Sequence, residues 1–458
     1  MAILSISVAL LYSIAVIAIG VYGRSLATQS DMFNIFGRRA GFFRAVAGYL
    51  SLLGGGELIL LTQLGFDHGF DFLWLPAGWS FGFLFLAICS ERLRLIARER
   101  NINTLSGYFT DQFGAAAGVA ISLIFVVSLG SLLTIQFIVG SDLLNAITGM
   151  PRTITVALMV FVILSYLLPS GFVAVLSTDV LRSIMMTIAL CIITISAVIH
   201  TASSNAGFEH YTPLGTFERS MFLILGMFGV ICAADVWQTV FASRDKSTNQ
   251  RALISAALIF PVLALLVAML GITTKSVIST LGSEDSALVA AANYALPAAL
   301  APLVALLITG SVMATADTEI WVISSLIVSL RLASGATLHE SGLSSFQDRV
   351  KSYTRWVMPI VAISASLLAI LSQSAVALYE GLLVLLTAIA PVMCVVPFAK
   401  LPQSVVASGL WGAVISFGAL SVLRGFSIPL EQSFYPAFGS CLCMIISFTV
   451  SKFRALVS

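Results

Sequence analysis

Few side chains in this chain are able to do chemistry, and most of them lie inside apolar stretches. Glu57 follows three consecutive glycines in Ser51-Leu-Leu-Gly-Gly-Gly-Glu57. Asp179, Asp235, Asp317 and Glu319 lie in similarly apolar surroundings, with Arg182 three residues after Asp179. Carboxylates there accept hydrogen bonds from hydroxyls or an ammonium, carry protons or hold cations, and an ionisable group at membrane depth marks a functional site by default. Asp179 is read either as holding an ion or as pairing with Arg182, and Asp235 as a cap or a salt-bridge partner of the Arg244 turn. Glu380 reads as a solvated residue near a helix start. His68, His200, His210 and His339 all fall at loops or span ends, and the six cysteines lack metal-ligand spacing. No nucleophile–base pair and no phosphate-binding glycine loop is present, so an enzyme is the least favoured class.

The elements that position these groups follow from composition. With 59% hydrophobic residues, only 10% charged and a mean hydropathy of +1.03, the 458-residue chain reads as a multi-pass membrane protein in a lipid bilayer. The net charge of +2 gives no reason to expect a nucleic-acid partner. Thirteen apolar stretches are long enough to cross, near 2–23, 42–65, 70–93, 105–147, 152–168, 171–200, 219–242, 250–274, 295–332, 355–372, 375–398, 403–423 and 430–451. The first lacks a cleavage site and reads as a retained span.

With the N-terminus outside, 18 of the 23 Lys and Arg fall on inner loops: Arg24 to Arg44, Arg92 to Arg100, Arg244 to Arg251, Arg331 to Arg355, Lys400, Lys452 and Arg454. Such a bias fixes the expected orientation, with the C-terminus inside. No appended soluble domain is read.

Glu57 and its glycines lie where both cost energy. A mid-helix Gly costs about 1 kcal/mol relative to Ala, and a carboxylate at the bilayer centre roughly 2.5–3.5 kcal/mol. The combination predicts a helix that unwinds at mid-membrane and turns backbone groups toward a buried polar cavity. Spans two to six and seven to eleven then form two five-helix halves of opposite topology. The leading span of each is interrupted by glycine (Gly54–Gly56; Gly226 and Gly229), the third is overlong, and the last two are joined by short turns, at Pro169–Gly171 and around Ser372–Ser374. The expected units are 1–24, 40–200, 217–400 and 401–458. A solute cavity is expected between the broken helices, lined by Gly56, Glu57 and Leu58 and by Gly226, Gly229 and Val230, with Trp74, Trp237 and Trp321 as gates or interface anchors.

Four stretches then carry a resemblance. Gly171-Phe-Val-Ala-Val-Leu-Ser-Thr-Asp179 resembles Gly-Gly-x-x-Ala-Val-x-x-Thr-Asp. Asp235-Val-Trp-Gln-Thr239 is similar to a segment in which Gln-Arg precedes a basic turn. Ala314-Thr-Ala-Asp-Thr318 resembles Ser-Thr-Ala-Asp-Ser, and Thr104 to Gly114 resembles Thr-x-x-x-Tyr-Leu-x-x-Arg-Phe-Gly. In this order, over roughly residues 40–400, they resemble the sodium/solute symporter family.

The resemblance implies an all-α LeuT-type five-plus-five inverted repeat with one helix before it and two after. It implies sodium-coupled uptake of a small organic solute across the cytoplasmic membrane of a prokaryote. A sodium site is implied at the carbonyls of Ser51, Gly54 and Ser311 and the side chain of Thr315, a set of hard oxygen donors suited to such an ion. The chain departs from the pattern at Ala314, which removes one hydroxyl ligand, and at Thr239, Arg182 and Gln112. Glu319, one helical turn from Thr315, is placed to complete the cation site or carry a proton, so Asp179, Asp317 and Glu319 are the candidate coupling acids. Proton-coupled transport or exchange, and a solute sensor without flux, are the alternatives. The solute's identity does not follow from the residues.

Overall fold

The computed structural model describes residues 2–203, 211–278, 287–291, 296–335, 343–372, 375–424, 432 and 434–457. His210, His339, Ser374 and the side chain of Glu380 lie outside the described residues.

Long apolar runs with few interruptions by Pro make the described residues almost wholly helical. Helix α1 (Ala2–Gly23) is followed by the short α2 (Ser30–Ile35). The stretch expected to unwind does so: α3 (Phe42–Leu50) ends, residues 51–54 are non-helical, and α4 (Gly55–His68) begins. Next come α5 (Trp74–Glu99), the short α6 (Leu105–Phe113), and α7 (Ala115–Thr148). The overlong span 105–147 is therefore two helices, parted at Gly114 with φ +84°. Helices α8 (Arg152–Ser170) and α9 (Phe172–Ser203) turn at the single residue Gly171, φ +56°.

A second broken pair follows, α10 (Thr216–Ile231) and α11 (Ala234–Ala242), bent by 45°. The break falls at Cys232–Ala233 and not at the glycines expected to cause it. Gly226 is a packing glycine: a Cβ there would lie 2.3 Å from the Leu75 carbonyl oxygen of α5. Helices α12 (Lys246–Val277), α13 (Ala287–Ala290), α14 (Ala301–Gly335), α15 (Leu343–Leu371), α16 (Ala375–Val395), α17 (Gln403–Arg424) and α18 (Tyr435–Val457) complete the fold.

Among the described residues, nine helical stretches are long and apolar enough to cross a membrane, and the bent α10–α11 pair makes ten. The expected thirteen is reached only when α3–α4 is counted apart from α5 and when α16 and α18 are added.

The broken helices are bound at both ends. At one face, the backbone of Ala40 pairs with α11's end: Ala40 N–H donates to the Ala242 carbonyl and Arg244 N–H to the Ala40 carbonyl, both at 3.0 Å. Arg38, Arg94 and Arg98 donate to the carbonyls of Phe241, Ser243 and Arg244, the groups a helix end leaves unsatisfied. At the other face, Arg219 meets Asp71 at 3.0 Å, and Asp71 also accepts the Leu214 N–H at 2.9 Å. Near that face α4 lies directly on α12, where a Cβ on Gly65 would sit 2.2 Å from the Ala268 carbonyl oxygen. Close backbone contact through small residues is how helices associate in lipid, where no hydrophobic effect draws them together.

Candidate functional site

The first break leaves helix-end groups without partners of their own, and helices distant in sequence supply them. The Thr315 hydroxyl of α14 donates to the Ser51 carbonyl at 2.9 Å and, in a longer contact of 3.3 Å, to the Ser311 carbonyl. The Ser311 hydroxyl donates to the Leu53 carbonyl at 2.7 Å. Gly54 is required here, since a Cβ would fall 2.3 Å from Thr315 Oγ1. On α7, the Gln136 side chain accepts the Gly55 N–H at 2.6 Å.

Thus Ser51, Gly54, Ser311 and Thr315 are brought to one place, all buried, together with Leu53. These neutral oxygens suit a sodium ion without burying a net charge among the ligands themselves. Ala314 presents only its methyl, to a neighbouring cavity of about 10 Å³ that it shares with Ser51, Asp179 and Arg182.

Glu57 has two hydrogen-bond partners. Its Oε2 accepts the Gly54 N–H at 3.0 Å and its Oε1 accepts the Tyr379 hydroxyl at 3.3 Å. A carboxylate in the first turn closing back on the preceding N–H is half of a capping box, so the acid secures the start of α4. It also lines the central cavity of about 60 Å³ between the broken helices, with Leu52, Trp79, Phe125, Leu129, Gly229, Val230, Asp235 and Tyr379.

Of the expected solute contacts, Glu57, Gly229 and Val230 are in that lining, while Gly56, Leu58 and Gly226 are not. Gly56 abuts Ile135 and Tyr379 instead. The cavity, at about 60 Å³, is far below the ~300–1,000 Å³ of ordinary ligand pockets.

Because the second break comes at Cys232–Ala233, Asp235 stands in the first turn of α11, where the helix dipole favours an acid. It faces the cavity. Arg244 pairs with Asp245 at 2.8 Å, not with Asp235. Trp237 splints this break, its indole N–H donating to the Ile231 carbonyl at 2.9 Å. Trp237 and Trp321 are fully buried and so are not interface anchors, while Trp74 is 40% exposed.

The remaining acids lie around α14. Arg182 pairs with Asp317 at 2.6 Å and with Asp179 at 3.5 Å. Glu319 is 0% exposed, and no hydrogen bond among the described residues reaches either carboxyl oxygen.

Sequence reasoning missed Leu53, Gln136 and Tyr379. Only Gln136 carried a signal, an amide set among the apolar residues of α7.

The family profile described as sodium:solute symporter family matches residues 35–416. The chain belongs to the sodium:solute symporter family. It is 24% identical over 269 residues to the sodium/pantothenate symporter of Haemophilus influenzae, covering 56% of this chain and 55% of that one. It is 24% identical over 227 residues to a sodium/proline symporter of Staphylococcus aureus, covering 48% and 44%. The chain thus spans about half the length of the curated relatives it matches.

Among solved structures, a Na+-coupled sialic acid symporter, substrate-bound and outward-open, superposes with a TM-score of 0.76 at 17% identity, covering 98% of this chain and 97% of that one. A nucleobase-cation-symport-1 family transporter in a closed conformation with bromovinylhydantoin bound gives 0.60 at 13% identity, covering 93% and 95%. This family member has the LeuT-type fold and is a multi-pass membrane protein.

Proposed function

We infer that the protein is a secondary transporter, not an enzyme, carrying one small solute with sodium across the cytoplasmic membrane by alternating access. The observation that carries this reading is the meeting of Thr315 and Ser311 with the carbonyls of the first break, beside a cavity bounded by both broken helices. Sodium at Ser51, Gly54, Ser311 and Thr315 ties α14 to the first broken helix, and a solute in the cavity ties the first broken helix to the second. Thirteen crossings, repeats at 40–200 and 217–400, two C-terminal helices at 401–458, and the N-terminus outside belong to the same proposal. The clustering of Arg38, Arg94, Arg98 and Arg244 at one face supports that orientation.

Glu57 and Asp235 line the cavity, and no Lys, Arg or His is among its lining residues. Such walls favour a solute rich in donors, an amine or a polyol, with a solute carboxylate directed to the half-helix N–H groups. Proline, pantothenate and sialic acid, the solutes named for the relatives, are the first to test. Thermal stability of the purified protein is measured against these and simple amines, with and without sodium, at two pH values. A ligand bound only by the native state raises the midpoint. A solute shift that grows with sodium and ignores pH supports the reading; a shift that ignores sodium overturns it.

One observation favours a second reading. Glu319, buried without a hydrogen-bond partner among the described residues, is suited to carry a proton, and a shift that follows pH alone selects proton coupling through it.

A further inference from the structure

Behind the sodium-site residues lies a group of charges that the solute cavity does not touch. Arg182 of α9 is 1% exposed, and all three of its nitrogens are engaged. Nε donates to the Tyr12 hydroxyl of α1 at 3.0 Å, one terminal nitrogen to Asp317 Oδ2 at 2.6 Å, and the other to the Tyr166 hydroxyl of α8 at 2.6 Å. The Tyr166 ring lies under the guanidinium, 5.5 Å from its centre.

Asp317 is fully served, accepting also from the Tyr166 hydroxyl at 2.6 Å and the Thr318 hydroxyl at 3.4 Å. Asp179 is not. It lies 3.5 Å from Arg182, and no hydrogen bond among the described residues reaches either oxygen. Asp179 and Arg182 line the small cavity whose other walls include Ser51 and Ala314, next to Thr315.

With both carboxylates ionised, the two acids and the one guanidinium carry one net negative charge in a membrane interior, where unpaired charge is strongly disfavoured. Arginine cannot give up its charge, and four helices hold it in place. We propose that the Arg182 guanidinium is a tethered cation filling the position between Asp179 and Asp317, so that the protein binds a single mobile sodium, at Ser51 and Thr315, whose charge balances Asp179. The inference rests on the sodium-site reading above and adds to it a stoichiometry and the residue that sets it.

The test counts sodium. Purified full-length protein is titrated with radioactive sodium chloride alone, and bound ion per chain is measured for wild type, Arg182→Gln and Arg182→Lys. Wild type and Arg182→Lys bind about one ion per chain, and Arg182→Gln binds about two. A purely structural arginine would lower the stability of Arg182→Gln without raising the count.

Two ions bound by wild type, or a single ion bound by folded Arg182→Gln, overturns the proposal and leaves the sodium site standing. No sodium bound by wild type overturns the site and the proposal together. Should Arg182→Gln fail to fold, Asp179→Asn decides: removing the charge that the ion balances is expected to lower sodium affinity at least tenfold, and wild-type sodium affinity in a folded Asp179→Asn protein overturns the proposal.

Discussion

The Thr315 hydroxyl lies 2.9 Å from the Ser51 carbonyl oxygen, across 264 residues of chain, and joins α14 to the point where the first broken helix unwinds. In the transport reading this hydroxyl is a ligand that the ion and the helix break share. Thr315→Ala removes one oxygen and leaves the Ser51 carbonyl with one partner fewer. The sodium concentration for half-maximal solute uptake is expected to rise roughly tenfold, equivalent to about 1.4 kcal/mol, the scale of one lost hydrogen-bonding partner. Unchanged sodium dependence removes Thr315 from the site.

Gly54→Ala places a methyl 2.3 Å from Thr315 Oγ1 and 2.6 Å from Gln136 Nε2. Both neighbours are locked by their own contacts, so the break must shift. A loss of about 1–3 kcal/mol, the usual penalty of overpacking, is expected as a lower melting midpoint together with lost sodium binding. Wild-type sodium binding in a stable Gly54→Ala protein contradicts this geometry.

In the transport reading Glu57 has two duties, and substitution separates them. Glu57→Gln keeps an oxygen for the Gly54 N–H, so the fold survives with a midpoint near wild type, while solute affinity falls at least tenfold. Tyr379→Phe removes only the 3.3 Å contact to Glu57 and is expected to cost under about 1 kcal/mol in stability. Wild-type affinity in Glu57→Gln, measured by solute-induced stabilisation, reduces Glu57 to its capping role.

Asp245 offers a pH test outside the membrane spans. The Arg244 guanidinium beside it, with the Thr248 N–H at 2.8 Å, holds its carboxyl down to about 2. The unfolded value is about 3.9, so its contribution is complete above that value and is lost as pH falls through the folded one. Asp245→Ala removes the N-cap of α12 at a cost of about 1 kcal/mol near neutral pH. The stability gap between the two proteins is expected to close as pH is lowered from 4 toward about 2; a gap independent of pH over that range contradicts the assignment.

The first break was legible because its cause is local: three glycines and an acid stand where a plain span has no use for them. The second was not. Gly226 and Gly229 drew attention to α10, yet the helix runs through both and ends where Trp237 takes the Ile231 carbonyl and Asp235 starts the next helix. Those are partnerships across the break, and no residue type at Cys232 or Ala233 announces them. Of the two readings of Asp235, the salt bridge to the Arg244 turn fails because Arg244 takes Asp245, while a place in the first turn of α11 fits a capping acid. Glu57's companion Tyr379 lies 322 residues away, a separation that local pattern does not span. Ser311 and Thr315 were found through motif resemblance, since hydroxyls in an apolar helix otherwise bond their own preceding turn, as Thr309 does with Ala305.

The Ala40–Ser243 bridge closes the arginine-rich face with main-chain groups, N–H to carbonyl in both directions. A seam made of main-chain groups asks for no particular hydrogen-bonding side chain at Ala40 or Ser243, so a small residue at either position keeps both bonds.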